Sequence, residues 1–246
     1  MSPFTDSDRM FFSDGYRLTE EFLGRDVSEQ HLSELIENMY DLVDGLIGSF
    51  MDRCRKESLP VDCRKGCSWC CHQAIMASPY ELIYLVQWIR RHFPEDRQQK
   101  VIARTFEKAR QTIGLKASEF MLFKASCPLL EEGSCSVYPA RPLACKIYLS
   151  SSLESCIREF KDPGDQLRFP SLYAFPLRAG RMINEGNSAW LLEKGFQVDD
   201  WLLEQMLYQL FARQEILLSW FNGRTIFSKP DLDAEDRRFL ERFSEI

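Results

Sequence analysis

Apolar residues recur at three- and four-residue spacing over long stretches of the chain, which is the pattern of amphipathic helices. The clearest stretch follows Ser28, a typical N-cap residue, and extends to about Lys56. Its apolar stripe is formed by Leu32, Leu35, Ile36, Met39, Val43, Leu46, Ile47, Phe50 and Cys54. The pattern predicts one long helix with a single buried face. Because Cys54 lies on that face, we expect it to be a small buried apolar residue and not a ligand.

Proline and glycine divide the rest of the chain into shorter predicted elements. Ser78-Pro79 is a helix start, which predicts a helix to about Pro94 and another over about 96–113, closed by Gly114. Residues 1–27 and the proline-containing segments 127–156 and 163–180 are predicted to be irregular. The remaining helical predictions are residues 189–194, 199–221 and 233–243.

The predicted fold class is mainly α, with a single helical domain around an irregular, loop-rich cysteine core. Strand-like runs are few and short, and there is no internal repeat and no linker long enough to cut the chain. We therefore expect one domain over 1–246, which contains a cysteine-cluster core at 60–157 and a helical C-terminal extension at 158–246.

Composition excludes some classes of function. The formal net charge is −6, so the chain offers no excess of basic residues to neutralise nucleic-acid phosphates. The N-terminus lacks the basic and apolar regions of a secretory signal, and no apolar run approaches the ~18–20 residues that span a bilayer. We expect a cytoplasmic protein with no membrane or nucleic-acid partner, whose thiols are kept reduced.

Eight of the nine cysteines fall into two groups, and this clustering predicts a metal ion as partner. Metal binding needs several soft ligands around one point, and Cys67-x2-Cys70 is the spacing that lets a tight turn aim two thiolates at one ion. Gly66 permits the backbone conformation of such a turn. The candidate metal ligands are Cys63, Cys67, Cys70 and Cys71 in the first group, and Cys127, Cys135, Cys145 and Cys156 in the second.

Cys70 and Cys71 are adjacent, so their side chains should point in different directions and should not bind one ion together. One of them could complete a site with Cys63 and Cys67 while the other joins the second group. Eight ligands could serve two four-ligand sites, or one cluster with redox-active spare thiols. Zinc and an iron–sulfur centre suit the thiolates equally, and reduced structural thiols without metal are the alternative. If metal is bound, the metal-free protein should be unstable.

Cations and histidines near the cysteines could tune such a site. Arg64, Lys65, Arg141 and Lys146 could donate to sulfur and offset the charge of several thiolates, or could be solvated. His72 could replace a thiol as ligand or donate an N–H to sulfur. His31 and His92 are predicted to be surface residues.

The motif C-x3-C-x2-C-C at 63–71, followed by C-P-x-L at 127–130 and C-x2-Y-x2-R-P-x2-C at 135–145, resembles the bacterial YkgJ-type cysteine-cluster family. That family is described as a zinc- or iron-chelating domain. The resemblance covers about residues 60–157 and implies a metal site of seven cysteines with Cys156 as an eighth. Arg141 and Pro142 match the R-P element of the family, and the chain after about residue 160 shows no match.

Three functions are compatible with these observations. The first is a metal-binding protein that holds zinc or an iron–sulfur centre in an unknown role. The second is an enzyme, because the cysteine region also resembles part of bacterial flagellin lysine N-methylases, which implies methyl transfer from S-adenosylmethionine. However, no glycine-rich cofactor loop and no catalytic residue can be identified. The third is a thiol redox or metal-delivery module, for which Cys71 or Cys145 would be the low-pKa thiol.

Overall fold

Helices carry most of the fold in the computed structural model, which describes residues 4–164 and 169–226. This confirms the predicted mainly α class. The helices are α1 (Asp6–Leu23), α2 (Glu29–Lys56), α3 (Pro79–His92), α4 (Glu95–Thr112), α5 (Ala117–Leu122), α6 (Leu143–Lys146), α7 (Leu153–Lys161), α8 (Ala174–Glu193), α9 (Leu203–Ala212) and α10 (Gln214–Phe221). The strands are β1 (Met76–Ala77), β2 (Leu130–Glu131), β3 (Ser134–Cys135) and β4 (Trp201–Leu202).

Helix α2 matches its prediction because its sequence signals are local. The Ser28 hydroxyl accepts a hydrogen bond from the His31 N–H at 3.3 Å, which satisfies one of the free donors of the first turn. The apolar stripe is buried from Leu32 to Val43 and again at Cys54, which is fully buried, whereas Leu46, Ile47 and Phe50 are partly buried. Cys54 is therefore a core residue, as predicted.

The prediction of an irregular N-terminus is wrong, because residues 6–23 form helix α1. Thr5 and Asp8 make a capping box that starts the helix. The buried Asp8 carboxylate also accepts two hydrogen bonds from Arg178 of α8, at 2.5 and 2.6 Å. Helix α1 is thus also stabilised by a contact with a residue 170 positions away, which its own sequence does not reveal.

Helices α1 and α8 approach each other closely at two glycines. A Cβ on Gly15 would lie 2.0 Å from the carbonyl oxygen of Ile183, and a Cβ on Gly186 would lie 2.0 Å from that of Phe12. Beside this contact the buried Thr19 hydroxyl donates to Asn187 Oδ1 at 2.9 Å. The two helices can pack at this distance only because both positions lack a side chain.

The prediction for the C-terminal half is wrong in two places. Residues 174–180, expected to be loop, form the start of α8, where Pro176 lies in the first turn and removes no helical hydrogen bond. Residues 199–221, expected to be one helix, are divided into β4, α9 and α10, with extended backbone at Arg213. The helix predicted at 233–243 lies outside the described residues.

Helix α3 lies at the centre of the core. It begins at Pro79, as predicted, and is buried on nearly all sides, with Leu82, Ile83 and Leu85 fully inaccessible to solvent. The Ser78 hydroxyl donates to Asp200 at 2.8 Å and does not cap the helix. Just before α3, β1 pairs antiparallel with β4, which ties the C-terminal helices to the end of the first cysteine segment.

The segment 127–156 consists of short turns and helices, as its prolines and glycine predict. Strands β2 and β3 form a hairpin of two residues each, Tyr138–Ala140 is a single 3-10 turn, and α6 has four residues. Within the described residues, none of the helices has the length and apolar character required to cross a bilayer.

We expect Gly15→Ala to lower the free energy of unfolding by about 1–3 kcal/mol, because the added methyl group would force α1 and α8 apart. The matched control is Gly45→Ala in α2, where a Cβ would meet nothing within 4 Å. That variant should be stabilised by up to about 1 kcal/mol, since alanine favours helix over glycine. Urea unfolding of the two variants tests the packing, and equal effects would contradict it.

Candidate metal centre

The fold brings the two cysteine groups side by side. The Cys127 N–H donates to the Cys71 carbonyl oxygen at 2.7 Å, and the Ala125 N–H donates to the His72 carbonyl oxygen at 3.1 Å. These two hydrogen bonds join the 3-10 turn Trp69–His72 to the start of the second group. All nine cysteines are free, so no disulfide competes for the thiols.

A second set of contacts places Cys156 with the first group. The Ser150 N–H donates to Cys63 Sγ at 3.1 Å, and the Asp62 N–H donates to the Ser150 carbonyl oxygen at 3.2 Å. Asp62 also accepts from the N–H of Leu153, the first residue of α7, at 2.7 Å. Helix α7 carries Cys156, so these bonds hold Cys156 beside Cys63.

Four thiols consequently form a first neighbourhood, which we call set A: Cys63, Cys67, Cys70 and Cys156. Burial raises the pKa of Cys63 to about 11, partly offset by the Ser150 N–H, and the other three thiols raise it further. Burial likewise raises the pKa of Cys156, and Cys70 and Cys67 add to that effect. Negative charge on Cys67 or Cys70 would thus disfavour ionisation of both Cys63 and Cys156.

A second neighbourhood, set B, consists of Cys71, Cys127, Cys135 and Cys145. Burial raises the pKa of Cys127 to about 12, and the nearby Cys135 thiol adds to the increase. Burial also raises the pKa of Cys145, with further contributions from Cys127, from Cys70 of set A and from Cys135. Cys71 responds to both Cys127 and Cys145.

Cys70 and Cys71 link the two sets. The two thiols hydrogen-bond to each other, which lowers the pKa of Cys70 and raises that of Cys71. The expectation that Cys71 or Cys145 would be the low-pKa thiol is therefore wrong, since hydrogen bonding and burial favour the protonated form of Cys71 and burial that of Cys145. Cys70 is instead the thiol with a lowered pKa.

Arg141 is the cation that acts on several thiols. Its guanidinium lies over the Tyr138 ring at 3.8 Å, and its charge lowers the pKa of Cys70 and opposes the increases at Cys135 and Cys145. Its Nε is buried and has no hydrogen-bond partner within the described part of the chain. A buried N–H donor of this kind is costly unless an acceptor, such as a metal-bound thiolate, is present.

The other cations and histidines have different surroundings. Arg64 and Lys65 are exposed, whereas the buried Lys146 donates to Asp44 at 2.8 Å. His72 Nδ1 lies 3.0 Å from the Ser68 carbonyl oxygen. His92 is exposed, as predicted.

His31 is only partly exposed, with Nδ1 2.9 Å from the Asp26 carbonyl oxygen. Its surface position is therefore confirmed only in part.

Sequence reasoning assigned no role to Glu81, which binds the start of the short helix that contains Cys145. Its carboxylate is buried, and Oε1 accepts hydrogen bonds from the Leu143 N–H at 2.7 Å and the Tyr40 hydroxyl at 2.9 Å. Leu143 starts α6, the four-residue helix that contains Cys145. The available signal was an acidic residue inside the apolar run of α3.

A buried ion pair lies beside Cys127. Lys108 Nζ and Glu204 Oε2 are 3.8 Å apart, and both side chains are almost fully buried. Burial raises the pKa of Cys127, the Lys108 charge opposes this increase, and the Glu204 charge adds to it. Helices α4 and α9 therefore contribute to the electrostatics of set B.

The cysteine thiols are the donors that a soft metal prefers, and the fold brings them close together. Their side chains are not arranged around a common point. Within residues 4–164 and 169–226, no three His, Cys, Asp or Glu side chains are arranged as a formed metal site. Eight free thiols and the unpartnered Arg141 Nε nevertheless supply soft ligands and a donor for their charge. Binding would require thiol side chains to rotate on a backbone that already holds them together.

Residues 62–165 match the family model CxxCxxCC, which is described as a putative zinc- or iron-chelating domain. This confirms the cysteine-cluster resemblance for that segment and supports a metal ion as partner. The match includes all eight clustered cysteines and ends before α8. No curated protein and no solved structure matched the chain.

We expect the stability of the protein to depend on pH through Glu81, because burial raises its pKa from 4.5 to about 7. Between these pH values the folded state keeps a proton that the unfolded state loses, so stability falls as pH rises, by roughly 3 kcal/mol in total. Glu81→Gln removes this titration. The free energy of unfolding of the variant, relative to that of wild type, should therefore increase as the pH is raised from 5 to 8.

Denaturant unfolding at several pH values, with thiols reduced and metal chelated, measures the difference between wild type and variant. Glu20→Gln, at an exposed position of α1, is the control and should show a difference that is constant with pH. A constant difference for Glu81→Gln as well would contradict the assignment.

Proposed function

We propose that residues 63–156 form a metal centre that holds zinc or iron through two sets of four thiolates. Set A would provide Cys63, Cys67, Cys70 and Cys156, and set B would provide Cys71, Cys127, Cys135 and Cys145. The observation that carries the proposal is the hydrogen bond from the Cys127 N–H to the Cys71 carbonyl oxygen, which brings the two cysteine segments into contact.

The electrostatics of the thiols support this function. Without a metal, burial keeps most of them protonated, because a buried thiolate lacks solvation. A divalent cation supplies the missing charge, so binding would release protons and would strengthen with pH. Arg141 would offset part of the remaining negative charge through its buried Nε.

The two metals would supply different chemistry. Zinc would provide a fixed tetrahedral crosslink, whereas an iron–sulfur cluster would add one-electron transfer. In either case the thiolates would join segments that are separated in the sequence by α3, α4 and α5. An enzymatic role, a cytoplasmic location and the division of the chain at 60–157 remain predictions from sequence.

We expect the protein, purified anaerobically, to contain about two zinc ions per chain or iron with inorganic sulfide. Elemental analysis and a visible spectrum distinguish these cases, since iron–sulfur clusters absorb in the visible range and zinc does not. Chelation should lower the melting temperature because binding is coupled to folding. A chain that holds neither metal would contradict the proposed function.

The division into two sets predicts which variants share a metal ion. Cys63→Ser and Cys156→Ser should each lose the set A metal, and the double variant should lose no more than either single variant. Combining Cys156→Ser with Cys145→Ser should remove both metals. Cys54→Ser is the control and should retain full metal content, which native mass spectrometry measures directly.

A second candidate function is thiol redox chemistry or metal delivery, favoured by the hydrogen-bonded pair Cys70 and Cys71. The lowered pKa of Cys70 favours its thiolate, which is the nucleophilic form, in the metal-free protein. We expect iodoacetamide to modify Cys70 first after chelation, and to do so more slowly in Arg141→Gln. Peptide mapping by mass spectrometry identifies the modified residue, and first modification of Cys145 would exclude this candidate.

A further inference from the structure

Helices α4 and α9 meet at a pair of opposite charges inside the protein. The side chain of Lys108 in α4 is 6% exposed, and that of Glu204 in α9 is 1% exposed. Apolar residues of the same two helices, such as Val101 and Leu207, are fully buried. The ammonium and the carboxylate are therefore almost completely removed from bulk solvent.

The two charged groups are too far apart for a direct hydrogen bond. Lys108 Nζ and Glu204 Oε2 are separated by 3.8 Å. An N–H···O hydrogen bond in a protein is about 2.7–3.2 Å long. Glu204 Oε2 accepts no hydrogen bond from the part of the chain that the structure describes. A buried charge without a hydrogen bond is costly, so this contact calls for a further partner.

The face of α4 that carries Lys108 offers additional hydrogen-bonding groups. Thr105 and Thr112 lie one turn before and one turn after Lys108 on that face, and both are buried. Their hydroxyls donate to the carbonyl oxygens of Val101 and Lys108, at 2.8 and 3.2 Å. A hydroxyl that donates in this way keeps lone pairs that can accept a hydrogen bond. The contact between α4 and α9 thus presents both donors and acceptors to a small polar molecule.

We infer that one ordered water molecule lies between α4 and α9 and bridges Lys108 Nζ and Glu204 Oε2. The water would accept a hydrogen bond from the ammonium and donate one to the carboxylate. Its second proton would go to the hydroxyl of Thr105 or Thr112. Buried waters typically make about three hydrogen bonds of this kind.

The charges of the pair favour water over an ion as the bridging group. The Lys108 ammonium would repel a second cation, and the Glu204 carboxylate would repel an anion, both at low dielectric constant. Water is neutral, and it can donate and accept at the same time. The inference concerns only the contact between α4 and α9, so it does not depend on a metal at the cysteines.

A high-resolution crystal structure of the unaltered protein tests the inference directly. We expect electron density for one water molecule within hydrogen-bond distance of both Lys108 Nζ and Glu204 Oε2. Direct contact between these two atoms with no water on them would overturn the inference. A protein group that donates to Oε2 in place of water would overturn it as well.

Water-deuteron magnetic relaxation dispersion provides a test in solution, because it counts the buried waters that stay bound for longer than the protein takes to tumble. The double variant Lys108→Met/Glu204→Leu replaces the pair by apolar side chains of similar size. It should show one long-lived water fewer than wild type. An unchanged count would overturn the inference.

The matched control is the double variant Asp96→Leu/Lys100→Met. This pair lies on the same helix α4 and has the same separation of 3.8 Å, but its side chains are 72% and 69% exposed. Water at an exposed pair exchanges rapidly with solvent, so the number of long-lived waters should remain that of wild type. An equal loss in both double variants would contradict the assignment to Lys108 and Glu204. If the buried double variant does not fold, the crystal structure of the unaltered protein decides.

Discussion

The hydrogen bond from the Cys127 N–H to the Cys71 carbonyl oxygen joins two segments separated by about 55 residues, and the candidate metal centre depends on it. Reduced thiols gain nothing from proximity alone, because burial and mutual repulsion both oppose their ionisation. The fold nevertheless holds eight of them together on backbone contacts. Such an arrangement is costly without a cation, which is why a metal explains it better than structural thiols do.

Much of the fold follows from local sequence signals. The N-cap at Ser28 and the stripe that ends at Cys54 specify α2, and Ser78-Pro79 specifies the start of α3. Thr5 and Asp8 are a local capping signal for α1, but the contacts that hold this helix in place involve distant partners, namely the Arg178 guanidinium on Asp8 and the glycine contacts with α8. Hydrophobic periodicity cannot report such contacts, since they involve polar groups and missing side chains.

In the candidate site, too, some features follow from the local sequence and others depend on contacts between distant residues. Residue type and spacing predict the eight cysteines as ligands, and the divergence of adjacent residues predicts that Cys70 and Cys71 serve different sets. The membership of Cys156 in set A could not be predicted, because it depends on Asp62 and Ser150 folding α7 back onto Cys63. The support of α6 by Glu81 is equally invisible in sequence, since the two lie 62 residues apart.

Helix α6 also shows that the cysteine region is not an independent building block. It has only four residues, too few to form a stable helix in isolation. Its Lys146 ammonium is buried against Asp44 and the Tyr40 ring, both contributed by α2 from outside the matched segment. A fragment cut at the boundaries of the match would leave that ammonium without its counter-ion. The unit recognised by sequence comparison is therefore smaller than the unit that folds.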